Sequence, residues 1–400
     1  MEGPQETASA TPILDAGVMP PRHRGIRPLA LLAALLVGVV LMESLALAGG
    51  LWHENWPAIF LLLFLLAVAV HEVGHLLAGW AAGFHFNSIQ VGPLSLEDEY
   101  GFVKAHFSLD VMYLGYAGMY ANTVRKLRRR LLIYIAGGPS ANLLSVLAVV
   151  LISHLMPVSD SGLATAAGQF GAISLLLAMV SLIPVSSSDG ALIEMLLFSP
   201  FSARRFISTV ALGAQFKQGI RARHWKQSWI KAATGTPDKS GHDFYASWMG
   251  YLSASDRKDD SVSAQYLERC LSITPILTNR LRSLVAQEAS VHAAWVMRDP
   301  RLADKWLAQV KSRPLLPPIV QARIEVALNC ARSDFDKAAV AYEKGLKLFQ
   351  KMPMKPHIRV MKESWVEWWA EIEQQQTHPV VSQLEEEQAK AASISLTADG

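Results

Sequence analysis

The chain has 400 residues, a net charge of +3, 51% hydrophobic residues and only 18% charged ones. That length leaves room for two or three domains, and so small a positive balance argues against a nucleic-acid binder. Its two cysteines, Cys270 and Cys330, lack CxxC spacing. This argues against a zinc or redox site built on thiols and marks both as reduced core residues.

The averages join two unlike halves, apolar before about residue 200 and polar after it. A polar N-terminal segment, residues 1–28, comes first. The run Leu29–Ala48 follows it and is longer than the apolar core of a signal peptide, about 7–15 residues, so it reads as a retained anchor. Three further stretches reach the roughly 20 residues that a spanning helix needs. They are Trp56–Gly83, Leu131–Met156 and Gly162–Val185, the last broken by Pro184. Between the second and third spans, Phe86–Val91 and Phe102–Phe107 alternate around the turn residues Gly92–Pro93. They predict a short β-hairpin or small sheet near the cytosolic face. The piece Ala191–Phe198 is apolar but too short to span.

Basic residues orient these helices. Arg22, Arg24 and Arg27 precede the first span, Arg125, Lys126, Arg128, Arg129 and Arg130 lead into the third, and Arg204 and Arg205 follow the fourth. The loops Gly49–Asn55 and Pro157–Ser161 carry no Lys or Arg. Four spans with both termini in the cytosol satisfy all of this. The domain at 29–200 is thus an all-α polytopic membrane domain with a small β region, its solvent the lipid bilayer.

A linker is expected over 201–242 and a soluble helical domain over 243–375. Three helix starts there share an Asp-x-x-x-Ala spacing: Asp260 with Ala264, Asp299 with Ala303, and Asp334 with Ala338. The intervals, about 39 and 35 residues, fall in the tetratricopeptide range, and a generic helical bundle stays open as the alternative. The polar tail 376–400 is expected to be disordered.

The chemistry lies in the second span. His71-Glu72-Val73-Gly74-His75 sets two imidazoles four residues apart, on one face of a helix. Both can reach one metal ion, with Glu72 beside them as a general base. Ionisable residues inside an apolar helix are costly and by default functional. A catalytic zinc takes a third protein ligand and keeps one position open. Asp189, between the helix-breaking Pro184 and the permissive Gly190, is the candidate, although it can equally cap the short helix after it. In Ala136-Gly137-Gly138-Pro139-Ser140-Ala141-Asn142, small residues favour close helix packing. Asn142 there either packs or donates a hydrogen bond to substrate or oxyanion.

Together these three signals resemble the site-2 protease family of intramembrane zinc metalloproteases. The match covers about residues 56–200. It rests on His71, Glu72 and His75, then Gly138 and Asn142 as a GxxxN-type motif, then Pro184, Asp189 and Gly190. Ser181, Ser186 and Ala191 depart from the family's third motif, where Asn, a second Pro and a second Gly are usual. The resemblance implies Zn2+ held by His71, His75 and Asp189, and a peptide bond cut within or near a membrane segment. It also implies a membrane-protein or membrane-associated peptide substrate. With no organelle-targeting sequence apparent, a bacterial plasma membrane is the expected location. The helical domain would bind a protein regulator. Two other readings compete: a non-proteolytic membrane scaffold with a metal site, which would not need Glu72, and a metal-dependent transporter, disfavoured by the lack of an internal repeat.

Overall fold

The computed structural model describes residues 12–21, 56–107, 114–155, 161–185, 188–310 and 316–374. The first apolar run, Leu29–Ala48, and the tail after 375 lie outside them. The chain divides into two units, Met1–Val285 and Ala286–Gly400.

In the first unit a short turn, α1 (Ile13–Ala16), precedes the long helix α2 (Trp56–Ala81). Next come four strands: β1 (Phe84–Val91), β2 (Leu94–Glu99), β3 (Phe102–Phe107) and β4 (Gly115–Ala121). Helices α3 (Leu127–Leu155), α4 (Ser161–Leu182) and α5 (Asp189–Phe198) follow. The windows Ala58–Ala81, Leu127–Leu155 and Gly162–Leu182, of 24, 29 and 21 residues, are each long and apolar enough to cross a membrane. Large apolar side chains such as Leu144, Leu155, Leu163 and Leu176 stand exposed on them. So much uncovered apolar surface suits lipid rather than water.

Helices α2 and α3 meet through glycines. A Cβ added to Gly137 would lie 2.5 Å from the Gly74 carbonyl oxygen, and one added to Gly74 would lie 2.5 Å from that of Gly137. Only hydrogen fits at either place, so the backbones pack at the distance small residues permit.

The sheet is antiparallel throughout, in the order β3-β2-β1-β4. The two predicted segments are β1 and β3. The β2–β3 turn places Tyr100 and Gly101 at φ 50° and 90°, the positive values of a tight primed turn. The hairpin is two-sided. Leu94, Leu96, Val103 and Phe107 are exposed on one face, while Glu97 and Glu99 on the other bind Arg280.

Two arginines tie the ends of other helices to the first turns of α3. Arg130 donates to the carbonyls of Ala82 (2.5 Å) and Gly83 (2.6 Å), closing the C-terminus of α2. Arg128 does the same for α5, through the carbonyls of Leu196 (2.5 Å) and Leu197 (2.9 Å). One core joins Phe84, Ala121, Leu131, Ile135, Leu196 and Ala211, so sheet, α3, α5 and the next helix pack as one.

That next helix is α6 (Pro200–Lys217), and α7 is Gln227–Thr234. The segment 201–242 thus carries helices that pack into the unit. α8 (Gly241–Asp256) and α9 (Asp260–Ile273) form an antiparallel pair, and the boundary between the units falls inside α10 (Asn279–Trp295). Asp243 is fully buried, and Arg269 together with the amides of Asp238 and Lys239 offsets its charge.

The second unit holds α11 (Pro300–Ala308), α12 (Pro318–Ala331), α13 (Phe335–Gln350) and α14 (356–374). Asp299 and Asp334 are N-caps, and Ala303 and Ala338 behind them are fully buried. The first of the three helix starts is shifted by one. Asp259, not Asp260, caps α9, and Ser263, not Ala264, is the small buried residue. Tyr342 stacks on both Trp365 and Trp369. Cys270 and Cys330 are free and buried in their respective units.

Candidate metal centre

His71 and His75 project from one face of α2 into the space between α2, α3 and α5, their ring centroids 4.8 Å apart. Asp189 comes from the first turn of α5. Sequence left two roles open for it, ligand or helix cap. The cap is in fact Ser188, whose hydroxyl accepts from the Ala191 amide (3.1 Å) and donates to the Ile183 carbonyl (2.6 Å). Asp189 is thereby left to face the histidines. Its Oδ2 lies 3.0 Å from His71 Nε2 and its Oδ1 lies 3.4 Å from His75 Nε2. One donor atom from each of the three falls within 4.8 Å of the others, and both histidines are buried.

Such a set can hold a metal ion. Two imidazole nitrogens and a carboxylate oxygen suit a borderline divalent cation. Without one, a half-buried carboxylate stands against two buried histidines that need not be charged. The outer nitrogens fit the same reading. His75 Nδ1 lies 3.0 Å from the Tyr134 carbonyl, which can only accept, so Nδ1 carries the proton and Nε2 keeps its lone pair for a ligand. A longer contact, 3.3 Å, from the Gly138 amide to the same nitrogen yields to that assignment. At His71, Nδ1 lies 3.4 Å from Asn142 Nδ2, while Asn142 Oδ1 is buried with no partner among the described residues. Turning that amide over lets Oδ1 accept from Nδ1–H, leaving Nε2 of His71 as the donor too.

Gly138 sits against both rings. A Cβ there would lie 2.6 Å from His71 Nε2 and closer still to His75 Nε2. Asn142, one turn further along α3, has no exposed surface. Glu72 is also buried but is not one of the three converging donors. Its carboxyl faces the start of β4, where a Cβ on Gly115 would come within 2.9 Å of Glu72 Cδ. All six residues singled out in the sequence therefore lie at one place, in three roles: donors, neighbouring carboxylate, and α3 wall.

Sequence reasoning missed the supporting residues. Tyr134 carries signals only in hindsight: it lies one turn before Gly138, its carbonyl holds His75, and its hydroxyl donates to Ala117 in β4. Gly115 and Ser188 follow no motif at all. No protein-family model, curated protein or solved structure matches the chain. What the chain does therefore rests on the geometry of this site.

Proposed function

We propose that the chain is an intramembrane zinc endopeptidase that cuts a peptide bond within or near a transmembrane segment of its substrate. The observation that carries this reading is the meeting of His71, His75 and Asp189 beside the buried Glu72, between helices apolar enough to cross a membrane. His71, His75 and Asp189 would hold the zinc. When bound, zinc supplies the Lewis acidity that makes water a nucleophile near neutral pH. Glu72 accepts the proton that water gives up and returns it to the leaving amine. Asn142 either steadies His71 or donates to the developing oxyanion. A structural metal site would need no such base, so Glu72 favours the enzyme over a scaffold.

A substrate helix in lipid has its backbone bonds satisfied and must unwind before attack. An unwound strand can then pair with a sheet edge. Among the described residues β3 and β4 are the edges, and β4 begins at Gly115, beside Glu72. Proline introduced along that edge is expected to impair cleavage while zinc content holds. Equal loss of both would assign the sheet a purely structural part.

Four spans also gain support. The C-terminus of α2, the N-terminus of α3 and the C-terminus of α5 lie together, tied by Arg128 and Arg130. Residues 13 and 14 bind Glu268 of α9 in the same unit. On this reading residues 13 and 14 lie on the side where α2 ends, which agrees with a fourth span before α2; Leu29–Ala48 is apolar enough in sequence to supply it. The exposed Arg125, Lys126 and Arg129 support a cytosolic position for the shared side, on this reading that of a bacterial plasma membrane.

The test is zinc content of detergent-purified protein beside cleavage of a candidate membrane substrate. Wild type is expected to hold about one zinc per chain, as a single His2Asp site requires. Asp189→Ala should lose the zinc. Glu72→Gln should keep it and lose at least about 100-fold in rate, the lower range for a general base. If Glu72→Gln cuts as fast as wild type, the catalytic assignment fails and the scaffold reading replaces it.

A further inference from the structure

The N-terminal segment is seated on the helical part of the first unit like a bound peptide. α1 spans only Ile13–Ala16, far too short to persist alone. Its first amides, which have no partner within the turn, are taken by one side chain. Ile13 N–H donates to Glu268 Oε1 (2.7 Å) and Leu14 N–H to Oε2 (2.8 Å). Six residues further on, Arg282 donates from Nη2 to the Pro20 carbonyl (2.8 Å), while its Nη1 is held by the Thr274 carbonyl (2.8 Å). Between these two clamps Leu14 and Met19 are buried, and Asp15 and Val18 face outward. Gly17, at φ 66°, turns the chain between the two anchors.

A carboxylate reading amides at one end, a guanidinium reading a carbonyl at the other, and two apolar anchors between them make up a peptide-recognition site. Main-chain bonds give affinity and the anchors give selectivity. We propose that the face of α9 and α10 bearing Glu268 and Arg282 is a peptide-binding groove. Segment 12–20 is its resident ligand in cis, and the same segment supplied in trans takes the same place. Eight residue steps, Pro21 to Leu29, reach at most about 29 Å, so a seated segment keeps the groove within that distance of the apolar run. Displacing it removes the limit.

The full-length protein in detergent tests this by binding, independently of any proteolysis. Leu14→Asp puts a charge in the anchor site and is expected to expel the resident segment. A fluorescein-labelled peptide of residues 10–22 should then bind the Leu14→Asp protein at least tenfold more tightly than it binds wild type, whose groove is filled. Adding Glu268→Ala should weaken that binding at least tenfold, and a peptide carrying Leu14→Asp should not bind. In unmodified protein, hydrogen exchange at the Ile13 and Leu14 amides should be slow. Exchange there at the rate of a free chain would overturn the proposal whatever the variants do. So would peptide binding that is equal in wild type and Leu14→Asp, or that is indifferent to Glu268→Ala.

Discussion

Replacing Gly138 by alanine tests the metal centre through a single methyl group. The new Cβ would stand 2.6 Å from His71 Nε2 and nearer to His75 Nε2, whereas ordinary contact begins at 3.4 Å. His71 Nε2 must therefore retreat by about 0.8 Å, and His75 Nε2 by more. Metal–ligand distances tolerate only about 0.2 Å. The displacement is roughly four times that tolerance and falls on two donors at once. Loss of an outer hydrogen-bond partner alone costs about 10–100-fold in metal affinity; moving two donors should cost at least ~100-fold. The assay is zinc occupancy across a series of zinc buffers, with folding followed in parallel by thermal unfolding. Gly137→Ala is the matched control. Its Cβ would meet Ala78 Cβ and the Gly74 carbonyl oxygen, both at 2.5 Å, so it strains the α2–α3 contact instead of the donors. It should cost about 1–3 kcal/mol of stability, as overpacking does, with a smaller loss of zinc affinity in the folded protein. If Gly138→Ala binds zinc as tightly as wild type, the Nε2 atoms are not the donors and the assignment falls.

Gly190→Ala should also weaken zinc binding, by at least about tenfold. A Cβ there would lie 2.9 Å from Leu182 Cα and closer to the Leu182 carbonyl, pushing the start of α5 and Asp189 with it; unchanged zinc affinity would show that the turn yields elsewhere. Acid should destabilise the helical part of the first unit. Burial alone would raise the Asp238 and Asp256 carboxyls. Hydrogen bonds from Arg205 and Ser240 to Asp238, and from Arg221 and Arg223 to Asp256, outweigh it, lowering Asp256 and bringing Asp238 to about 2. A depressed carboxyl contributes stability that is complete above its unfolded value, about 3.9, and lost as pH falls through its folded value. The thermal midpoint should therefore drop between about pH 4 and pH 2, and Asp256→Asn should flatten the drop. A midpoint indifferent to pH in that window would contradict the pairing.

The candidate metal donors were legible because their chemistry favours a spacing. Two histidines four apart share a helix face, and a carboxylate just after a broken helix, which Pro184 and Gly190 announce, can turn to meet them. The capping alternative for Asp189 fell away only in space, where Ser188 takes the cap. β1 and β3 showed alternation, but β2 and β4 did not. β2 ends in Glu97-Asp98-Glu99, which reads as loop until Arg280 and Lys217 are seen beside it. β4, Gly-Tyr-Ala-Gly-Met-Tyr-Ala, has small residues where the Glu72 carboxyl and the Ser88 hydroxyl press on Gly115 and Gly118. Such glycines record contacts with residues distant in sequence, and no local pattern can reveal them. Three helix starts beyond residue 250 were legible from their Asp-x-x-x-Ala spacing, off by one at α9 because two aspartates adjoin there.

The side chains of Arg128 and Arg130 carry two kinds of information at once. As charges they would, on the proposed membrane reading, help decide which way α3 threads the bilayer during insertion. As planar forks they join the ends of α2 and α5, the two helices that bring the histidines and the aspartate, to a common post. Lysine preserves the first property and not the second, because an ammonium cannot span two carbonyls in a fixed plane. Biogenesis and assembly of the site are thus written in the same residues yet remain chemically separable. A chain bearing lysine at both positions would enter the bilayer the right way round and arrive with its donors imperfectly gathered.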